Sequence, residues 1–125
     1  MGRQEVSVSQ EEVQQAHDTL ENLVKTEKCL IFSSTYCPWC DRAAEFFESL
    51  NRQCRKVELD VPAEGHSPLL GAVLAQATQQ RTVPNTFLFG RHVGGFDRLL
   101  SGAERCRKDG DFAAQFPDVC GFLSE

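Results

Sequence analysis

Apolar positions in the first part of the chain recur at helical spacing: Val13, Ala16, Leu20, Leu23 and Val24 fall on one face. Ser9 followed by Glu12 has the form of a capping box, which predicts a helix from there to about residue 26. The pattern then changes. Residues 28–33 are apolar without alternation, as expected of a strand covered on both faces. Helical spacing returns with Ala43, Ala44, Phe46, Phe47 and Leu50, behind a proline at 38 that suits a first helical position. Val57 and Leu59 alternate with polar neighbours in a second strand, 54–60. Such a strand–helix–strand unit is parallel and right-handed. Ser67-Pro68 then opens a helix to about residue 79, with Leu69, Leu70, Val73, Leu74 and Ala77 inward. Strand residues 86–89, a turn at Gly90-Arg91 and His92-Val93 read as a hairpin. Asp97 is placed as the N-cap of a helix carrying Leu99, Leu100 and Ala103, and a short last helix over 111–116 stops before Pro117. The predicted order is α-β-α-β-α-β-β-α, an α/β fold with a mixed sheet.

Composition narrows the possibilities without redirecting them. At 125 residues the chain makes one domain with its own core. The net charge of −5, with the basic residues interspersed among acids, argues against a nucleic-acid partner. No apolar run approaches the ~20 residues that span a bilayer. The first residues lack the apolar core of a signal peptide, and Val6 stands where a myristoylation signal needs Ser or Thr. Six cysteines lie at 29, 37, 40, 54, 106 and 120. With no signal sequence, and with two cysteines inside predicted strands, free thiols in a reducing cytosol are the expectation. An organelle form stripped of a transit peptide would read the same.

Cys37-Pro38-Trp39-Cys40 carries the chemistry, because it sits where the buried strand hands over to a helix. With Pro38 at the first helical position, Cys37 falls at the N-cap. Its sulfur can accept from the amides of Trp39 and Cys40 and faces the positive end of the helix dipole. Both effects favour thiolate, and thiols in such motifs have pKa values of roughly 3.5–7 against about 8.5 unperturbed. Cys37 is the expected nucleophile and Cys40 the resolving thiol. A zinc site needs a second ligand pair, and neither the other cysteines nor the isolated histidines (17, 66 and 92) supply one, so no metal is expected.

Three ordered motifs within about residues 10–107 make the chain resemble a dithiol glutaredoxin. Phe32-Ser33-Ser34-Thr35-Tyr36-Cys37-Pro38-Trp39-Cys40 resembles that family's active-site segment, Arg81-Thr82-Val83-Pro84 its segment with a cis proline facing the cysteine, and Gly94-Gly95-Phe96-Asp97 the glycine pair and acid that hold one end of glutathione. The resemblance implies a thioredoxin-like fold with a central four-stranded mixed sheet flanked by helices. It implies residues 1–9 as a tail, 10–107 as the domain and 108–125 as a helical extension packed on it. It also implies a monomer with neither membrane nor nucleic-acid partner, taking part in electron transport and cell redox homeostasis in the cytoplasm.

Site roles follow residue by residue from the same resemblance. Cys37 and Cys40 are catalytic, and Tyr36, Arg81, Thr82, Val83, Pro84, Gly95, Phe96 and Asp97 bind glutathione as co-substrate. The backbone of Val83 would pair with the cysteinyl residue like an added strand. The amides of Phe96 and Asp97 would seat the γ-glutamyl carboxylate at a helix start. Asp97 would meet the ammonium group or act as a cap, and Arg81 is either a partner of the glycyl carboxylate or a solvated loop residue. Cys29 and Cys54 read as core packing. Cys106 and Cys120 read as quiet thiols, with glutathionylation or a crosslink between chains as alternatives.

The expected function is reduction of glutathione mixed disulfides and protein disulfides. The alternative is a dimer holding a [2Fe–2S] cluster through Cys37 and glutathione, against which Pro38 weighs. Two departures stand out. Ser34 replaces the lysine many members carry there, and Gly71 stands nearest the position of a glutamine on the third helix. Both would have met the glycyl carboxylate. Weaker binding of glutathione, or a preference for a conjugate lacking that carboxylate, is the expectation. Trp39 replaces the usual tyrosine as an exposed aromatic beside the site.

Overall fold

The computed structural model describes residues 8–61 and 67–125; the first seven residues of the expected tail, and His66, lie outside that range. Helix α1 (Gln10–Thr26) starts at the expected capping box: Ser9 Oγ accepts from the Glu12 amide at 3.1 Å, and the Glu12 carboxylate accepts from the Ser9 amide at 3.4 Å. It leads into β1 (Cys29–Ser33), every residue of which is buried. Helix α2 (Pro38–Ser49) follows, and then β2 (Arg55–Glu58). After α3 (Leu70–Thr78) come β3 (Asn85–Leu88) and β4 (Arg91–Gly94). The chain closes with α4 (Phe96–Lys108), α5 (Gly110–Gln115) and α6 (Pro117–Phe122).

The four strands form one sheet in the order β2-β1-β3-β4. β1 pairs parallel with β2 and antiparallel with β3, which pairs antiparallel with β4. Alternation along β1 divides the core in two. Leu30 and Phe32 join Leu20 and Leu23 of α1 and Leu70, Val73 and Leu74 of α3. Cys29 and Ile31 join Ala43 and Phe47 of α2, Leu99 and Ala103 of α4, and Val119 and Leu123 of the C-terminal segment. The sheet is therefore sandwiched between helices, which explains the absence of alternation in the sequence of β1. No helix among the described residues is long and apolar enough to cross a membrane.

Several boundaries differ from expectation, each for a local reason. Ser67 does not cap a helix directly: its Oγ accepts from Leu69 and its carbonyl from Leu70, forming a turn before α3. The hairpin turn falls one residue early, at Phe89-Gly90, where both residues have positive φ (52° and 79°). A two-residue turn of this hand needs positive φ at both central positions, and Gly90 provides the second at no steric cost. Asp97 is not the N-cap of α4; that place belongs to Gly95, and Asp97 sits in the first turn. Pro117 does not end the helical segment but begins α6, by the rule that lets Pro38 begin α2. Some expected inward residues are exposed, namely Val13, Ala77 and Leu100, so the buried helix faces are narrower than the apolar pattern.

The largest correction concerns the thiols. Cys29 pairs with Cys54 and Cys106 with Cys120, and no described cysteine is free. Parallel pairing explains the first bond: Leu30 lies opposite Arg55, so the preceding residues, Cys29 and Cys54, have Cα atoms 4.6 Å apart. Packing of α6 against α4 explains the second, with a Cα separation of 5.3 Å. Neither is available to a strand or helix considered alone. Closing a loop over a sequence separation of 14 removes chain entropy worth about 3 kcal/mol from the unfolded state. Replacing both Cys106 and Cys120 by Ala is therefore expected to lower the thermal midpoint under oxidising conditions and to leave it unchanged, relative to wild type, under full reduction. Paired melts with and without reductant check this.

Candidate active site

The end of β1, the start of β3 and the end of β4 lie at one edge of the molecule because of their register: Phe32 is opposite Asn85, and Thr86 opposite Gly94. Cys37 occupies the N-cap of α2 in an extended conformation, and the Cys40 amide donates to its Sγ at 3.1 Å. Of the two amides expected at the sulfur, that of Cys40 makes the bond. Cys37 is part-exposed and Cys40 fully buried, and the two are joined as a disulfide. The asymmetry suits an accessible attacking sulfur and a shielded resolving one.

Across the groove the Val83-Pro84 peptide bond is cis, and the Val83 carbonyl oxygen lies 3.7 Å from Cys37 Sγ. Gln80 holds this segment: its Nε2 donates to the carbonyls of Thr82 (2.9 Å) and Pro84 (3.0 Å). Behind it the buried Asn85 donates to Thr78 Oγ1 at 3.1 Å and meets His92 Nε2 at 2.8 Å. Thr82, Val83 and Pro84 line a groove of about 330 Å³ together with Trp39, Gly95, Phe96 and Asp97. The Trp39 and Phe96 rings lie 5.9 Å apart on one wall, and the Arg42 guanidinium stacks on the indole at 5.2 Å. Gly95 matters here for space rather than for conformation. A Cβ on it would come within 3.2 Å of the Asp97 carboxylate.

Two expected residues are placed elsewhere. Tyr36 does not line the groove; it is 97% exposed. Arg81 borders a different depression, beside Ala72, Ala75, Gln76 and Gln79 of α3. Arg81 is next to the groove residue Thr82 in sequence, but the chain turns between them. Among the described residues no group of three or more His, Cys, Asp or Glu side chains is arranged to hold a metal ion.

A family comparison now has a structure to rest on. The glutaredoxin family model matches residues 29–93, which contain both cysteines of the groove and the cis proline. The chain belongs to the glutaredoxin family. Glutaredoxin-C2 of Arabidopsis thaliana is 43% identical over 77 residues, covering 62% of this chain and 68% of that one. Glutaredoxin-1 of Rhizophagus irregularis is 38% identical over 90 residues, covering 72% and 87% respectively. A crystal structure of a buckwheat glutaredoxin–glutathione complex superposes with a TM-score of 0.73 at 32% identity, covering 94% of this chain and all of that one. Glutaredoxins are thiol oxidoreductases, and this chain shares their thioredoxin-like fold, with a four-stranded mixed sheet flanked by helices.

Sequence reasoning missed the two clamps that hold this glutaredoxin's loops. Gln80 carries no motif of its own. Asp60 accepts from the Thr35 amide at 3.1 and 3.2 Å and from Thr35 Oγ1 at 2.7 Å, tying the segment before Cys37 to the end of β2. The register explains the contact and the sequence alone does not show it: with Ser33 opposite Glu58 in a parallel pair, two further residues bring Thr35 to Asp60. The Thr35 hydroxyl, and then its amide, hold the Asp60 carboxyl below its ordinary range. The latch is therefore complete above the unfolded carboxyl value of about 3.9 and is lost as pH falls through the lower folded value. In Asp60→Ala the Thr35 amide is expected to exchange with solvent faster at neutral pH. In wild type the same acceleration should set in only at acid pH, as followed by amide exchange and the carboxyl chemical shift.

Proposed function

We propose that this glutaredoxin is a glutathione-dependent thiol–disulfide oxidoreductase in which Cys37 attacks and Cys40 resolves. The observation that carries this reading is the position of Cys37 Sγ: at the N-terminus of α2 and 3.7 Å from the carbonyl of Val83, a residue that lines a groove with the first turn of α4. The helix start favours the thiolate. That thiolate attacks the glutathione sulfur of a protein mixed disulfide, the protein thiolate leaves, and glutathione remains on Cys37. A second glutathione thiolate attacks the glutathionyl sulfur, releasing glutathione disulfide and restoring the Cys37 thiolate. With a protein disulfide, Cys37 forms the mixed disulfide and Cys40 displaces the client thiolate. This leaves the Cys37–Cys40 disulfide, which two glutathiones then reduce.

The groove supports specific contacts for the peptide part of glutathione. The backbone of Val83, held outward by Pro84 and the Gln80 clamp, offers a carbonyl and an amide to the cysteinyl residue. The amides of Phe96 and Asp97, at the start of a 13-residue helix, suit the γ-glutamyl carboxylate, with the Asp97 side chain beside its ammonium group. Thr82 and Gly95 complete the walls. The buckwheat relative is described in complex with glutathione, which agrees with such a ligand. Arg81 and Tyr36, which lie off this groove, would reach only the outer parts of a bound molecule.

Turnover of a small glutathione mixed disulfide is expected to fall to background in Cys37→Ser and to persist in Cys40→Ser, because one thiol suffices for that substrate. Activity surviving without Cys37 would falsify the mechanism. The missing cation at Ser34 gives a separate expectation. Ser34→Lys should lower KM for free glutathione by about 2–5-fold, the worth of one exposed ion pair. An amide conjugate of glutathione should show no such gain, and steady-state titrations of both donors decide it.

A further inference from the structure

A second groove, of about 570 Å³, runs between β4, α4 and the C-terminal helices. Its lining is apolar at Val93, Val119 and Leu123 and cationic at three arginines. Arg98 and Arg105 stand seven residues apart on one face of α4, about 10.5 Å along its axis. Arg91 faces them from β4. Two of the guanidiniums are stacked: Arg91 on Phe116 at 4.8 Å, Arg105 on Phe112 at 4.2 Å, with the two rings 5.0 Å apart. Arg105 also reaches Asp109 at 3.4 Å, whereas Arg91 and Arg98 have no carboxylate partner among the described residues. In a chain of net charge −5 this is a local reversal of sign.

We propose that this groove docks an acidic segment of a client protein, with an aromatic or aliphatic side chain among its carboxylates. The cations are spread along the groove rather than converging on one point, which fits several carboxylates better than a single small anion. Their span matches three or four residues of extended chain at about 3.3 Å each. A guanidinium stacked on a ring keeps its N–H edge free for a carboxylate, and stacking pre-orders it. The apolar lining takes the intervening side chain. Both grooves border α4, the thiol site at Asp97 and this one from Arg98 onward, and they share no lining residue. That the bound protein is a substrate rests on the thiol-exchange reading; the binding itself does not.

Gly102 provides a clean test, because a Cβ there would meet nothing within 4 Å and its residue lines the groove. Gly102→Leu fills the groove while improving helix propensity. The probe is a fluorescein-labelled, cysteine-free peptide, Asp-Glu-Phe-Asp-Leu-Glu, titrated with the full chain by anisotropy. Binding is expected to weaken with added salt, and by about 5–10-fold in both Arg98→Glu and Gly102→Leu. Both variants should melt no lower than wild type, Gly102→Leu somewhat higher for its helix propensity, and both should keep turnover of the small mixed disulfide. Equal binding of a peptide with lysines for the acids, or with serines for Phe and Leu, overturns the proposal. So does wild-type affinity in both variants, or no binding of the acidic peptide at all. Failure of wild type to turn over the small mixed disulfide would instead overturn the thiol-exchange reading and leave the peptide result standing.

Discussion

Burial of β1 on both faces is the constraint on which the rest depends. Its five residues are enclosed, with Leu30 and Phe32 turned to α1 and α3, and Cys29 and Ile31 to α2 and α4. A slip of one residue would exchange the two sets and unpack both halves of the core. Register is therefore tightly held, and the register places the chemistry. With Phe32 opposite Asn85, the chain leaving β1 toward Cys37 meets the chain entering β3 from Pro84. With Thr86 opposite Gly94, the first turn of α4 arrives at the same place.

Around that meeting point the loops are held by polar side chains rather than by packing. Asp60 anchors the segment before Cys37, and Gln80 anchors the segment before β3. Asn85, buried within the sheet, has both ends of its amide engaged, by Thr78 and His92. Thr86, also buried, donates to the Gly94 carbonyl at 2.8 Å, which ties β3 to the glycine pair before α4. These bonds leave the sulfur accessible while restricting the backbone around it, which is what ordered thiol exchange requires. The aromatic pair of Trp39 and Phe96 gives the groove an apolar wall near the sulfur.

Much of this was legible along the chain. The capping box at Ser9, proline at the start of α2, the unalternating β1 and the hairpin each have a local cause, and each element formed within a residue of where its pattern lay. The three motifs carried by Cys37–Cys40, Arg81–Pro84 and Gly94–Asp97 identified the family. Misplacements came from local rules with two solutions. A proline can follow a helix or begin one, as at Pro117, and an acid after a glycine can cap a helix or sit inside it, as at Asp97. Tyr36 and Arg81 were assigned from the resemblance; neither lines the groove, because a loop turns its side chains in different directions from one residue to the next.

The sequence by itself determined every element up to α5, the redox pair and the family, because caps, periodicity and N-cap chemistry act within one or two helical turns. Only the tertiary structure decided which distant residues meet: Cys29 with Cys54, Cys106 with Cys120, Thr35 with Asp60, and Arg91 of β4 with the arginines of α4. Each of these pairings depends on strand register or helix packing. Those are properties of the whole core, set by the enclosure of β1, and no short window of residues contains them.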